Sequence, residues 1–224
     1  MAAAVTPSER AARFTGRGVK FDEAGPARFI SEPAALGLAG FALATMMLSV
    51  VNVGILPNAS APAVLSVALA YGGLVQLLAG MWAFIKNDTF AAVALSSYGG
   101  FWISYYLLQH TLLKTIPTAD QAGILSLYLF SWGLFSFYMW IASFRVNMAI
   151  QVVFLTLWPA YVCLGLGTAI PSKVLFNIGG GFGMATAAAA WYASAAIVMN
   201  KTFLRDILPV GHTRSAQQDV ATRP

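Results

Sequence analysis

PAALGLAGFALATMMLSVVNVGILPNASAPAVLSVALAYGGLVQLLAGMWAFI, residues 33–85, contains no charged side chain. About one residue in four is charged in an ordinary soluble domain, so such a run has no place in a water-facing fold. At about 20 residues per bilayer crossing it is long enough to cross twice. The turn cluster LPNASAP, residues 56–62, divides it, and Glu32 and Lys86 bound it. Pro33 suits the first turn of a helix, where its missing N–H costs nothing. The stretch therefore reads as two antiparallel membrane helices whose charged ends share one side.

The same pattern repeats outward from this pair. Of the 224 residues, 58% are hydrophobic and 9% charged. Apolar segments at about 36–56, 64–85, 92–113, 122–143, 149–170 and 174–198 predict an all-α polytopic membrane protein, a six-transmembrane-helix bundle. Residues 1–31 read as a cytoplasmic N-terminal tail, without the apolar core of a secretory signal. Residues 32–208 form the transmembrane domain and 209–224 a cytoplasmic C-terminal tail. The basic residues set the orientation. Arg10, Arg13, Arg17, Lys20, Arg28, Lys86, Arg145, Lys201, Arg205, Arg214 and Arg223 fall on one side, and only Lys114 and Lys173 on the other. By the positive-inside rule both termini are cytoplasmic and the protein is multi-pass in the plasma membrane. The formal net charge of +5 is then a topology signal. It suits anionic lipid near the termini and does not point to nucleic acid.

The spans carry little that could do chemistry. Neither histidine sits in a metal-ligand cluster, carboxylates are confined to tails and links, and phosphate-binding glycine loops are absent. No metal, cofactor or catalytic residue is expected, and Cys163 reads as filler within a span. Asp88 and Thr89 suit the cap of the third helix. Pro159 should bend the fifth or free a carbonyl, and Gly179 and Gly183, four apart, should let the sixth approach a neighbour closely. The polar residues within the spans include Asn52, Gln76, Gln109, His110 and Thr156. Such a set can guide a small solute without holding it tightly. Gln76 stands out because its amide needs several partners, and Asn52 and Thr156 are further candidates for the lining.

Two stretches carry a resemblance. Glu32-Pro33-Ala34-Ala35-Leu36-Gly37-Leu38 resembles the Asn-Pro-Ala-Pro-Leu-Gly-Leu signature of the acetate uptake transporter family. Its members include bacterial succinate–acetate permeases and fungal acetate and ammonia-export proteins. YGGLVQLLAGMWAFIKNDTFAAVALSSYGGFW, residues 71–102, is similar to the family's second and third helices almost throughout, and residues 142–157 resemble its fungal branch. Glu32 stands for the usual Asn and Ala35 for the second Pro. Glu32 is a poorer cap, although its charge suits a helix N-terminus, and it sets a carboxylate at the pore mouth. The resemblance implies a six-helix protomer with its own pore, assembled as a homo-hexamer. It further implies a hydrophobic constriction of Phe41, Tyr98 and Leu157, and a small residue, Ala190, that tunes substrate size. Glu32, Pro33, Leu36 and Gly37 would form the entrance motif.

The expected function is plasma-membrane transport of acetate and related short-chain carboxylates, succinate among them, by channel-like or proton-coupled passage. A channel for ammonia or another small neutral solute shares the same neutral lining. A membrane scaffold or nutrient sensor is the alternative of another class, with the charged N-terminal tail as its docking site.

Overall fold

The computed structural model describes residues 30–211. The chain divides after Ser31 into two units, and the described helices lie in the second. These are α1 Pro33–Asn52, α2 Asn58–Ile85, α3 Thr89–His110, α4 Thr118–Ser143, α5 Met148–Ala169 and α6 Lys173–Phe203. A short 3-10 turn, Leu112–Thr115, follows α3. Five of the six are long and apolar enough to cross a membrane; α3 has the length but not the apolarity. Its serines, its tyrosines, Gln109 and His110 lower it. The physical reason is its position, because Tyr98, Phe101 and Trp102 are almost wholly buried. A helix covered by protein owes little apolar surface to lipid.

Neighbouring helices pack in the order α2, α1, α6, α5, α4, with α3 against α2. The circuit closes between α3 and α4, where few backbone positions approach and aromatic side chains span the gap. Phe101 stacks on Tyr128 at 5.7 Å and meets Trp132 edge-on at 5.2 Å. Elsewhere small residues bring backbones together, as expected for association in lipid. A Cβ on Gly99 would lie 2.7 Å from the Leu77 amide nitrogen on α2. The Gly179–Gly183 pair serves two neighbours: Gly179 faces Leu164 of α5, and Gly183 faces Ser49 of α1.

Local chemistry explains the helix ends. The Asp88 carboxylate accepts from the Ala91 amide at 2.9 Å and caps α3. Asn147 caps α5 in the same way through Ile150. Glu32 stands at the N-cap of α1 with no side-chain cap bond, so Pro33 and the helix dipole start that helix. The α5 helix runs through Pro159 to Ala169, which leaves the Leu155 carbonyl without its amide partner. Within α2, Ala68–Val75 winds as a π-helix, the i→i+5 form that often occurs at functional positions.

The C-terminal boundary differs from the sequence reading. Leu204 ends α6 in the left-handed region, with φ 54°, and the chain turns back. The Asn200 amide then pins the turn, accepting from Ile207 and Leu208 and donating to the Leu208 carbonyl at 2.9 Å. Tyr192 donates to the Pro209 carbonyl at 2.6 Å. The amides of Met148 and Ala149 donate to the carbonyls of Gly211 and Val210 at 2.9 and 3.1 Å. Pro209–Gly211 therefore belong to the folded unit rather than to a tail from 209. They satisfy amides at the start of α5 that have no partner within the helix.

Candidate functional site

Four helices each turn one stripe, apolar except for Asn200, toward a common space. On α5 it is Ile150, Val153, Phe154 and Leu157, and on α1 Ala34, Leu38 and Phe41. On α3 it is Ala91, Ala94, Leu95 and Tyr98, and on α6 Ala193, Ile197 and Asn200. These are the i, i+3, i+4, i+7 positions of a single helix face. They enclose a cavity of about 500 Å³. It opens between the starts of α1, α3 and α5, where Glu32, Asp88, Asn147, Lys201, Asp206 and the returning segment Leu208–Gly211 form the lip.

Phe41, Tyr98 and Leu157 all line this cavity and are 3–4% exposed. At 1.5 Å per residue they lie roughly 12–14 Å inside their helix starts, near the middle of α1, α3 and α5. The Phe41 and Tyr98 rings are 5.3 Å apart. Tyr98 also meets Phe135 edge-on at 5.2 Å and Phe154 at 6.1 Å. Its hydroxyl lies 2.8 Å from the hydroxyl of Ser136 on α4. Ala190 is fully buried in the same cluster, one turn from Ala193 on the α6 stripe.

Gln76, directly after the π segment, is 1% exposed and lines the cavity, and its Oε1 has no hydrogen-bond partner. A buried amide oxygen without a donor costs free energy, so this atom is disposed to accept from a solute.

Other expected residues lie elsewhere. Thr156 is off the cavity wall: its hydroxyl donates to the carbonyls of Val152 and Val153, and accepts from Thr186 at 2.8 Å. It joins α5 to α6, because a threonine in a helix finds its own preceding turn within reach. Asn52 is also off the wall. It ends α1 and packs over Gly180, and Asn177 on α6, with its amide turned so that the nitrogen faces the neighbouring acceptors, donates to its carbonyl at 3.2 Å. Of the entrance motif, Glu32 lines the lip and Pro33 is buried, while Gly37 packs against Leu95. Leu36 points outward, 48% exposed. The Ala35 carbonyl accepts from Ser194 at 2.7 Å, which fastens the first turn of α1 to α6.

Glu32 is not a bare carboxylate at the mouth. Lys86, from the end of α2, donates to its Oε2 at 2.8 Å, and both side chains are about three-quarters buried. The pair neutralises the carboxylate that the sequence sets at the mouth.

Past the aromatic cluster, at the opposite end of the bundle, lies a second cavity of about 260 Å³. Leu48 and Tyr105, which also pack on the core around Phe41 and Tyr98, form part of its wall. His110 and Lys114 border it together with Gln109, and no carboxylate lines it. The His110 ring stacks on Tyr106 at 5.2 Å and 8°. Among the described residues no His, Cys, Asp and Glu cluster could hold a metal ion.

The stripe residues Ile150, Val153 and Phe154 were missed by motif reading, although their helical spacing was present as a signal. Leu208–Gly211 had none.

Comparison with known proteins adds four findings. The profile of the GPR1/FUN34/yaaH family matches residues 20–210. Acetate permease A of Emericella nidulans is 38% identical over 201 residues, covering 83% of this chain and 67% of that protein. The succinate-acetate/proton symporter SatP of Escherichia coli K12 is 30% identical over 184 residues, covering 82% of this chain and 97% of that protein. The solved structure of the bacterial acetate channel SatP superposes with a TM-score of 0.77 at 30% identity, covering 81% of this chain and 99% of that one.

Proposed function

This chain belongs to the GPR1/FUN34/yaaH family, and from that premise we propose that it transports acetate and related short-chain carboxylates, succinate among them, across the plasma membrane. The path runs within one chain, from the Glu32 mouth past Phe41, Tyr98 and Leu157 to the Lys114 mouth. The observation that carries this reading is the 500 Å³ cavity, whose apolar walls include those three residues together with the Gln76 amide. A cavity of this kind suits a solute with a short hydrocarbon part and one polar end.

In this reading Phe41, Tyr98 and Leu157 are the pinch, and Ala190 limits its width. Glu32, Pro33 and Gly37 shape one mouth. Channel-like and proton-coupled passage would use the same route. The distribution of basic residues supports a cytoplasmic Glu32 mouth and cytoplasmic termini, with residues 1–31 as the N-terminal tail. Assembly as a homo-hexamer follows from the resemblance. The exposed apolar residues Leu127, Leu134 and Ile141 on α4 offer surface that lipid or a second copy would cover.

The test is uptake of labelled acetate into liposomes holding the purified protein, against protein-free liposomes that report the leak of acetic acid through lipid. Uptake above the leak, competed by propionate, is expected. Uptake equal to the leak by correctly folded protein would refute carboxylate transport, and ammonia flux would be measured next.

A further inference from the structure

The Tyr98 hydroxyl is the natural donor for a carboxylate at the pinch, yet its hydrogen bonds direct it elsewhere. Ser136 is fully buried, and its hydroxyl donates to the Trp132 carbonyl at 2.7 Å. A serine hydroxyl has one proton. With that proton on Trp132, the 2.8 Å bond between Ser136 and Tyr98 is made by the tyrosine donating. No α4 residue lines the cavity, so the Tyr98 proton is held on the side of the ring away from the path.

We propose that Ser136 is a selectivity-positioning residue: by holding the Tyr98 O–H on α4 it leaves the pinch without a donor, so the protonated acid passes and the carboxylate is refused. This rests on the transport reading above and specifies the species that crosses. The pinch offers a carboxylate two aromatic rings and an isobutyl group, and desolvating an anion there without a partner is costly. The neutral acid loses far less. The Gln76 amide in the cavity wall carries both an acceptor and N–H donors, so it can receive either species, and the discrimination falls to the pinch.

No charged group packs on Tyr98 to alter this. Its ring neighbours are Phe41 on α1, Trp132 and Phe135 on α4, and Phe154 on α5. The other titratable side chains that act on it or feel it are the neutral phenols Tyr138 and Tyr161. The cavity's charged residues, Glu32, Asp88, Lys201 and Asp206, stand at its lip.

The experiment compares acetate with two isosteres in the liposome assay: methanesulfonate, which stays ionised, and acetamide, which is neutral and carries a donor. The wild-type protein should pass acetamide, exclude methanesulfonate and take up acetate faster as pH falls. In Ser136→Ala the Tyr98 proton is released. Methanesulfonate uptake should rise about tenfold, the worth of one hydrogen bond to a charged group, and the acetate pH profile should flatten. Ser136→Thr, which keeps a hydroxyl, should retain the steep profile, and adding Tyr98→Phe to Ser136→Ala should restore it. Wild-type uptake of methanesulfonate at the acetate rate would overturn the proposal without any variant. So would an unchanged pH profile in an active Ser136→Ala protein. Failure of the transport reading looks different, since acetate itself would then not exceed the leak.

Discussion

At one mouth Glu32 and Lys86 face each other at 2.8 Å, and Asp88, Lys201 and Asp206 share a lip crossed by Leu208–Gly211. At the other mouth His110 and Lys114 border a cavity about half as large, with no carboxylate on its wall. The first mouth mixes both signs of charge and is tied down by hydrogen bonds. The second presents the Lys114 ammonium and the His110 imidazole beside an apolar floor. An anion approaching from the Lys114 side meets attraction before it meets the aromatic cluster, whereas one approaching from the Glu32 side meets little net field. In the proposed path the two ends therefore differ in how they collect solute, while the barrier between them is common to both.

The sharpest way to break this comparison is to close what joins the mouths. Ala190→Phe drives a ring into a fully buried position in the same core cluster as Phe41, Tyr98 and Leu157. It should lower acetate flux in both directions roughly tenfold or more through overpacking. Leu157→Ala should do the reverse at the same level and raise lactate uptake relative to acetate about tenfold, the scale of a small change in pocket size. Intact selectivity in both, read by competition between labelled acids, would mean the path lies elsewhere.

A smaller effect separates the ends. Replacing His110 and Lys114 by Gln should raise the half-saturating acetate concentration about fivefold from the Lys114 side, the upper range for exposed charges. Maximal flux should be unchanged. Lys173→Gln, a cation outside the cavity, is the control, and an equal shift there would reduce the effect to general surface charge. The smallest effect belongs to the opposite mouth. Glu32→Gln leaves the Lys86 ammonium unpaired and should improve half-saturation from that side about twofold, fading as salt is added. No change at low salt would show that the pair does not set the field at that mouth.

The bundle was legible because lipid demands one property, a long uncharged helix, and composition displays it directly. Residues 33–85 needed no partner to be read. Asp88 was legible as a cap for a similar reason, since it acts three residues away. The features that escaped join distant parts of the chain. Nothing near Val210 announces that its carbonyl will serve the Ala149 amide, and nothing near Glu32 announces Lys86. Thr156 and Asn52 were polar residues in apolar helices, and sequence could not tell which way each would face. Phe41, Tyr98 and Leu157 came from the resemblance. Their shared depth and cavity are properties of three helices at once, invisible in any one of them.

The π-helix at Ala68–Val75 has a consequence for how α2 tolerates change in length. A π turn holds one residue more than an α turn, so the two halves of α2 are out of phase with each other. Deleting a single residue in the π turn is absorbed as it tightens to α winding, whereas a deletion elsewhere in α2 has no such slack and would rotate one half against the other by about 100°. Leu78 and Trp82, now on the outer face, and Gln76, now in the cavity wall, could not all keep their sides. Insertions and deletions in α2 outside the π turn, more than substitutions, decide whether the amide stays in the path.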